Sequence, residues 1–501
     1  MKRQAGILMP VSALPSDYGI GCFSKEAYEF ADLLAESGQS VWQILPLCPT
    51  SYGDSPYQSP CSFAGNPYFI DPATLVTEGL LTSSECESLN GEGDSPDRID
   101  YGRLYETRYR LLRAAYERFK DREKPTEYSV FITENAYWLY DYALYTAIKT
   151  HLGGAPLSAW SEDIRRREPS ALSEYRKRLA SDIDFHIFLQ FKFFSQWKAL
   201  KSYANQKGIS ILGDLPIYVS ADSSDLWVDP TLFELDESGR PLSVAGCPPD
   251  VFSPLGQLWG NPLYNWRAHR ESGYSWWKRR VFHAFEMYDI LRIDHFRGFE
   301  AYYSVPYGAE DARQGHWERG VGHELFAEIK KSLGKREIIA EDLGYITDGV
   351  RNLVKDQGFS GMKILQFGFN GGDGDFSSEY LPHNYCEKSV VYTGTHDNPT
   401  LSEWLENLSE GSEQMLREYI CDFTTPTKEL SDKLISLAMQ SVSELCIIPL
   451  QDYLCIGHEG RMNTPSSASG NWVWRVKKEN ISKNLSMRVK YLTNIGGRLN
   501  F

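Results

Sequence analysis

Three acids in this chain stand where an acid can do chemistry: Asp294, Glu341 and Asp397 each close a short apolar run. The stretch Asp289-Ile-Leu-Arg-Ile-Asp-His-Phe-Arg-Gly-Phe-Glu300 is the most informative. Its apolar opening and charged close are the pattern of a buried parallel strand whose C-terminal end emerges into a site. With a side-chain period of two, Ile290, Arg292 and Asp294 share one face while Leu291 and Ile293 take the other. Arg292 therefore sits beside Asp294, and its charge is expected to keep that carboxylate ionised. An ionised carboxylate at a strand end, with Gly298 loosening the chain just after, has the character of a nucleophile. Taken alone, the stretch fits equally an ion pair that only ties two strands together. Glu341 follows Ile338, Ile339 and Ala340, so burial and the Asp294 charge are both expected to raise its pKa, as a proton donor requires. Arg292 and His396 stand beside these acids, and no metal-ligand histidine pair accompanies them. Converging carboxylates without a metal suit cleavage of a glycosidic bond, one acid as nucleophile and another as acid/base.

Convergence needs a scaffold that brings strand ends together. Ala5–Leu14 reads as a first strand, and Ser24 as the cap of a helix with Ala27, Phe30, Ala31 and Leu34 on one face, stopped by Gly38. Val41–Leu47 is a second buried strand, and strand, helix, strand at this spacing is a βαβ unit of a parallel sheet. A turn-rich loop follows over 51–68. Loops at strand C-terminal ends commonly carry function, though an ordinary structured loop reads the same way. Residues 80–180 turn helical and read as an insertion after strand two. There Tyr105, Tyr109, Leu112, Tyr116 and Phe119 mark a 3.6-residue stripe, core material rather than a site. A helix is expected from Thr133 to Thr150, and a long one from Asp182 to Lys207 returns to the main architecture. Ile209–Tyr218 is the third strand, with Asp214 near its end. A second insertion, 219–287, is rich in Pro, Gly and Trp between Cys247 and Pro262. The stretch around Asp294 is the fourth strand. Glu337–Gly344, Met362–Phe369, Val390–Asp397 and Leu445–Gln451 are the fifth to eighth, with Leu325, Ile329 and Leu333 aligned on a helix before the fifth. Eight buried strands separated by helices or insertions make an α/β fold of the (β/α)8 TIM barrel type, whose functional residues gather at the strands' C-terminal ends. An open doubly wound sheet is the alternative. It lacks a Gly-rich dinucleotide turn, since Gly371-Gly-Asp-Gly374 precedes no convincing helix.

The totals narrow the function further. At 501 residues, 42% hydrophobic and 24% charged, the chain has the make-up of a soluble globular protein. A net charge of −15 without a Lys/Arg run argues against nucleic acid as a partner. The 30 Tyr, 24 Phe and 13 Trp suit sugar rings and cores alike, so composition does not choose between them. Nine cysteines, scattered from Cys22 to Cys455, form no Cys-x-x-Cys pair. Neither a metal site nor a disulfide framework is expected, and reduced thiols in a cytoplasmic protein fit best. Met1–Pro10 imitates a secretion signal, but Pro10 breaks its apolar run and no cleavage site precedes Asp17. No stretch has the apolar length to span a bilayer.

Arg292-Ile-Asp-His-Phe-Arg-Gly298, Ala340-Glu-Asp-Leu-Gly344 and Tyr392-Thr-Gly-Thr-His-Asp-Asn398 resemble the 4-α-glucanotransferases, or amylomaltases, of the α-amylase clan. The resemblance extends over nearly the whole chain, through Ser12–Ser16, Ser55–Gln58, Gly213–Tyr218, Trp259–Pro262, Leu381–Tyr385, Arg461–Asn463 and Asn471-Trp472. It implies a single catalytic barrel, no cofactor, no metal, and α-1,4-glucan oligosaccharides as donor and acceptor. Asp294 is then the nucleophile, Glu341 the acid/base and Asp397 the transition-state stabiliser. Tyr57, Asp214, Trp259, Arg292, His396 and Asn463 match positions around the cleaved sugar, and Gln257 lies on the loop that roofs the site. Pro399-Thr400 departs from the Asp-Thr common at that place, which bears on local loop geometry. No C-terminal β-sandwich is evident after strand eight, as the resemblance implies. Two other readings use part of the same set: a hydrolytic amylase, and a glycan-binding protein that needs the aromatics but not three converging acids.

Overall fold

The computed structural model describes residues 3–499 apart from 52, 88–94, 250–252, 371–374, 466 and 468. Eight parallel strands close on themselves: β1 (Gln4–Leu8), β2 (Val41–Gln43), β3 (Ser210–Leu215), β4 (Ile290–Ile293), β5 (Ile338–Ala340), β6 (Ser360–Ile364), β7 (Ser389–Tyr392) and β8 (Leu445–Pro449). Each pairs with the next in sequence, and β8 returns to β1 with Ile7 opposite Ile448. This is the (β/α)8 barrel that the eight apolar runs predict. Both faces of the strands are buried, except in β6, where Gly361 and Lys363 are half-buried, which is why most runs read as continuous rather than alternating. Leu8, Val41, Leu212, Ile290, Ile339, Ile364, Val390 and Ile447 fill the interior. Ile7, Trp42, Ile211, Leu291, Ile293, Val391 and Ile448 face outward into the larger core beneath the helices. Gly6 keeps the middle of the barrel narrow, since a Cβ there would lie 2.5 Å from the Val41 carbonyl oxygen and 2.6 Å from Ile447 Cδ1. Toward the C-terminal rim the filling turns polar: the Tyr392 hydroxyl donates to Gln43 Oε1 at 2.9 Å inside the barrel.

The apolar runs outlast the pairing. Val11–Ala13 and Leu365–Phe369 are 3-10 turns, not strand, and β2, β5 and β7 end well before the expected Leu47, Gly344 and Asp397. A run of apolar residues reports burial, not pairing, and burial continues past the ladder at Ile44, Leu45, Leu47 and Leu365. Glu341 therefore stands one residue beyond β5, and Asp397 five beyond β7.

Between β2 and β3 lie helices Tyr101–Lys120, Thr126–Asn135, Leu139–His151, Pro169–Arg178 and Ala180–Gln206. The single helix expected over 133–150 is broken. Asn135 closes the first piece by donating to the Phe131 carbonyl at 2.9 Å and accepting from Trp138 Nε1 at 3.0 Å. Tyr105 leaves the expected stripe for solvent, while Leu104, Arg108 and Leu111 take the buried side. Helix Lys25–Glu36 forms as expected, but the Ser24 hydroxyl donates to Glu26 Oε2 at 2.6 Å rather than capping a helix amide.

The sequence reading assigns no strand to 301–319, and there the structure differs most. Ala301–Pro306 and His316–Arg319, after β4, join Ser243–Cys247 and Gln257–Pro262, before it, in an antiparallel sheet ordered 257–262, 243–247, 301–306, 316–319. Its central pairing crosses β4, so no local turn signal announces it. The Gly371–Gly374 run lies outside the described residues. No helix among the described residues is long and apolar enough to cross a membrane.

Candidate active site

The site is built on registers. Asp214 and Arg292 are paired positions of β3 and β4, so both side chains point inward, next to each other. Arg292 Nη1 donates to Asp214 Oδ1 and Oδ2 at 2.7 and 2.6 Å, and to Asp294 Oδ1 at 3.1 Å. The Tyr57 hydroxyl also donates to Asp214 Oδ2, at 2.7 Å. Buried ion pairs hold only when their remaining lone pairs are satisfied, and Tyr57 supplies that here. Arg292 favours the ionised form of Asp294, as expected, but it does not set that pKa alone. Burial pushes the Asp294 carboxyl up to about 7, against the opposing charge of Arg292. The guanidinium is engaged twice by Asp214 and reaches Asp294 once, so it offsets the loss of water only in part.

Glu341 stands beside Asp294. Ile293 and Ala340 are register partners, and the Glu341 N–H donates to the Ile293 carbonyl at 3.0 Å, which carries the ladder one step further. Ile290 and Ile339 point into the barrel, so by the period of two Asp294 and Glu341 point inward as well. Neighbouring strands lie about 4.8 Å apart, which brings the two acids side by side. Glu341 Oε2 accepts from the His295 N–H at 2.7 Å, and Oε1 from the Leu343 N–H at 3.2 Å. His295 makes the first bond from a left-handed conformation, φ 47° and ψ 47°, which costs a non-glycine residue on the order of 1–2 kcal/mol. Burial holds the Glu341 carboxyl well above its ordinary range. The Asp294 charge adds to this, while Arg292 and the His295 amide oppose it. Asp342 is turned away, its Oδ1 accepting from the Met362 N–H at 2.7 Å.

Asp397 closes the cleft from the β7 side. Asn398 Oδ1 accepts from both the N–H and the hydroxyl of Thr395, at 2.8 and 2.9 Å, which shapes the turn that presents Asp397. Pro399-Thr400 fits this turn. The Pro399 carbonyl accepts from Gln366 Nε2 at 3.0 Å, and Thr400 caps helix Leu401–Glu406. Asn463 Nδ2 donates to Asp397 Oδ1 at 2.6 Å, and His396 Nε2 lies 3.4 Å from Oδ2. The His396 ring stacks on Tyr57, centroids 5.3 Å apart and planes within 16°, and Trp472 packs against both. On the far side Trp259 stands edge-on to His295 at 4.7 Å and donates from Nε1 to Gln257 Oε1 at 3.0 Å.

All ten residues singled out from sequence thus meet in one cleft, joined through two that were not: His295 and Trp472. A positive φ leaves no mark on residue type. Trp472 lies far along the chain from His396, and only its place in Asn471-Trp472 could have pointed to it. Among the described residues no group of three or more His, Cys, Asp or Glu side chains is placed to hold a metal ion.

The raised Asp294 pKa has a consequence for stability. A half-buried acid raised from 3.8 to about 7 is costless below the unfolded value and destabilises increasingly as pH climbs to the folded one. Asp294→Asn is therefore expected to gain stability relative to the parent between pH 4 and 7, levelling off above, by about 2–4 kcal/mol in all. Paired denaturation curves at pH 4 and 8 check this; an equal difference at both would show that burial does not hold Asp294 high.

Residues 9–481 match the family model described as 4-alpha-glucanotransferase. The chain is 45% identical over 493 residues to the 4-alpha-glucanotransferase of Clostridium butyricum, covering 98% of this chain and 100% of that protein. It is 44% identical over 502 residues to that of Streptococcus pneumoniae, covering 100% and 98%. The structure superposes on amylomaltase from Streptococcus agalactiae in complex with acarbose with a TM-score of 0.96 at 43% identity, covering all of both chains. A barrel with these acids at its rim, matched along almost its whole length, belongs to the 4-alpha-glucanotransferase family.

Proposed function

We propose that this chain cleaves an α-1,4-glucan and passes the freed segment to the 4-hydroxyl of a second glucan or of glucose. The placement of Asp294 and Glu341 one step beyond the Ile293–Ala340 pair carries this reading. Neighbouring positions on adjacent strands suit the roughly 5–5.5 Å between carboxyls of a retaining pair. Arg292 touches Asp294 and not Glu341. A full charge in contact outweighs two amide dipoles, so the pair's shared proton rests on Glu341.

In the first step a carboxylate oxygen of Asp294 bonds to the anomeric carbon as the glycosidic C–O bond breaks. The bonding pair goes to the leaving oxygen, which takes the Glu341 proton, and a glycosyl ester remains. In the second step Glu341, now a carboxylate, takes the proton of the acceptor's 4-hydroxyl. That oxygen bonds to the anomeric carbon, and the ester bond returns its electrons to Asp294. Two inversions give retention, with no oxidation. Asp397, steadied by Asn463, grips sugar hydroxyls as the ring flattens. His396 Nδ1 and His295 Nε2 are buried without a partner among the described residues. Burial holds both rings neutral, His295 down to about 3, so each can serve a sugar hydroxyl that removes an otherwise costly orphan.

Transfer wins over hydrolysis only if water is kept from the ester and a sugar is held in its place. Trp259 and Gln257, standing over His295, are suited to that. Maltotriose is expected to give glucose and a ladder of longer maltodextrins with almost no rise in reducing ends; chromatography with a reducing-end assay reads both. Trp259→Ala should raise the hydrolysed share several-fold. Reducing ends rising in step with substrate loss in the parent would make the protein a hydrolytic amylase instead. All nine cysteines are thiols, which supports a reducing compartment such as the cytoplasm.

A further inference from the structure

We propose that Tyr345 is an acceptor platform, an exposed ring face on which the acceptor glucan rests beyond its first glucose. The proposal rests on the transferase reading and adds a binding residue to it. An acid/base must touch the glycosidic oxygen, so chain leaving Glu341 borders the side where the leaving glucan departs and the acceptor arrives. Tyr345 follows four residues later. Its Cα can lie no farther than about 14 Å from that of Glu341 even if the chain were straight, and the chain is not. The Leu343 N–H folds back to Glu341 Oε1, and Gly344 turns the backbone at φ +83°.

The ring is presented rather than packed. Tyr345 is 69% exposed, although its backbone is tied: Arg297 Nη1 donates to the Tyr345 carbonyl at 2.5 Å. The buried Arg297 guanidinium lies 3.7 Å over the Trp317 ring and 5.9 Å from that of Tyr345. Trp317 and Tyr345 are nearly parallel, at 22° with centroids 6.5 Å apart, and Trp317 leans edge-on against Tyr303 at 5.1 Å. Arg297 thus couples the stretch after Asp294 to the stretch after Glu341 and steadies a large aromatic face in water. Such faces suit the C–H surfaces of sugar rings. As a contact beyond the first glucose, the ring would serve a longer acceptor and not a single glucose.

A donor with a fluoride leaving group isolates the acceptor side. With α-maltotriosyl fluoride as donor, transfer to glucose and to maltotriose is measured for the parent, Tyr345→Ala and Tyr345→Trp. In Tyr345→Ala the acceptor KM for maltotriose is expected to rise about tenfold relative to that for glucose, with kcat changed by less than about twofold. Tyr345→Trp should restore the parental ratio. An unchanged ratio in Tyr345→Ala, or equal losses on both acceptors, overturns the platform. A parent that releases fluoride only to water, with either acceptor, would overturn the transferase reading first and the platform with it.

Discussion

Asp294→Asn is expected to lower glucan turnover by at least about 10⁴-fold, a loss of the size seen when a covalent nucleophile is removed. An amide oxygen at the same place cannot form and release the glycosyl ester. The shape of the site should survive, because Arg292 keeps both bonds to Asp214 and Tyr57 keeps its own. A near-neutral group in a buried place should also be tolerated better than the parental charge. Turnover of maltotriose, read with the melting curve of the same preparation, checks the prediction. A well-folded variant within about tenfold of the parent would remove Asp294 from the nucleophile's role and leave it as Arg292's second partner.

Glu341→Gln should cut turnover of maltodextrins by about 10²–10⁴-fold, the usual contribution of a positioned proton donor. The first step with α-maltosyl fluoride should fall far less, since fluoride leaves with little help from an acid. Glutamine still offers one oxygen to the His295 or Leu343 amide, so the rim should not collapse. Rapid-mixing measurement of fluoride release against maltotriose consumption separates the two effects. Equal losses on both substrates would mean that Glu341 holds the site's shape and does not donate the proton.

The barrel was legible because its signal is redundant. All the strands but β6 are buried on both faces, and the period of two put Ile290 inside and Leu291 and Ile293 outside, as the packing shows. What failed was whatever depends on long-range pairing or local electrostatics. Val11 and Leu365 are as apolar as strand residues yet sit in turns, because hydrophobicity marks burial and not hydrogen bonding. The sheet over the cleft pairs Ala301–Pro306 with Ser243–Cys247 across the whole of β4, a partnership without a local signature. The position of Arg292 beside Asp294 was right and so was the sign of its effect, but burial outweighs it. Sequence spacing shows that two charges are neighbours, but not that Asp214 claims the guanidinium first. The ten cleft residues were found by resemblance to a family; residue type alone supported the three acids and the arginine.

The mechanism rests on a glycosyl ester on Asp294 whose breakdown needs Glu341 as base. Glu341→Gln, mixed with α-maltosyl fluoride and quenched in acid, should therefore accumulate protein heavier by one maltosyl unit. Peptide mapping by mass spectrometry should place that unit on Asp294. Fluoride released without any adduct, or a sugar found on another residue, would contradict it.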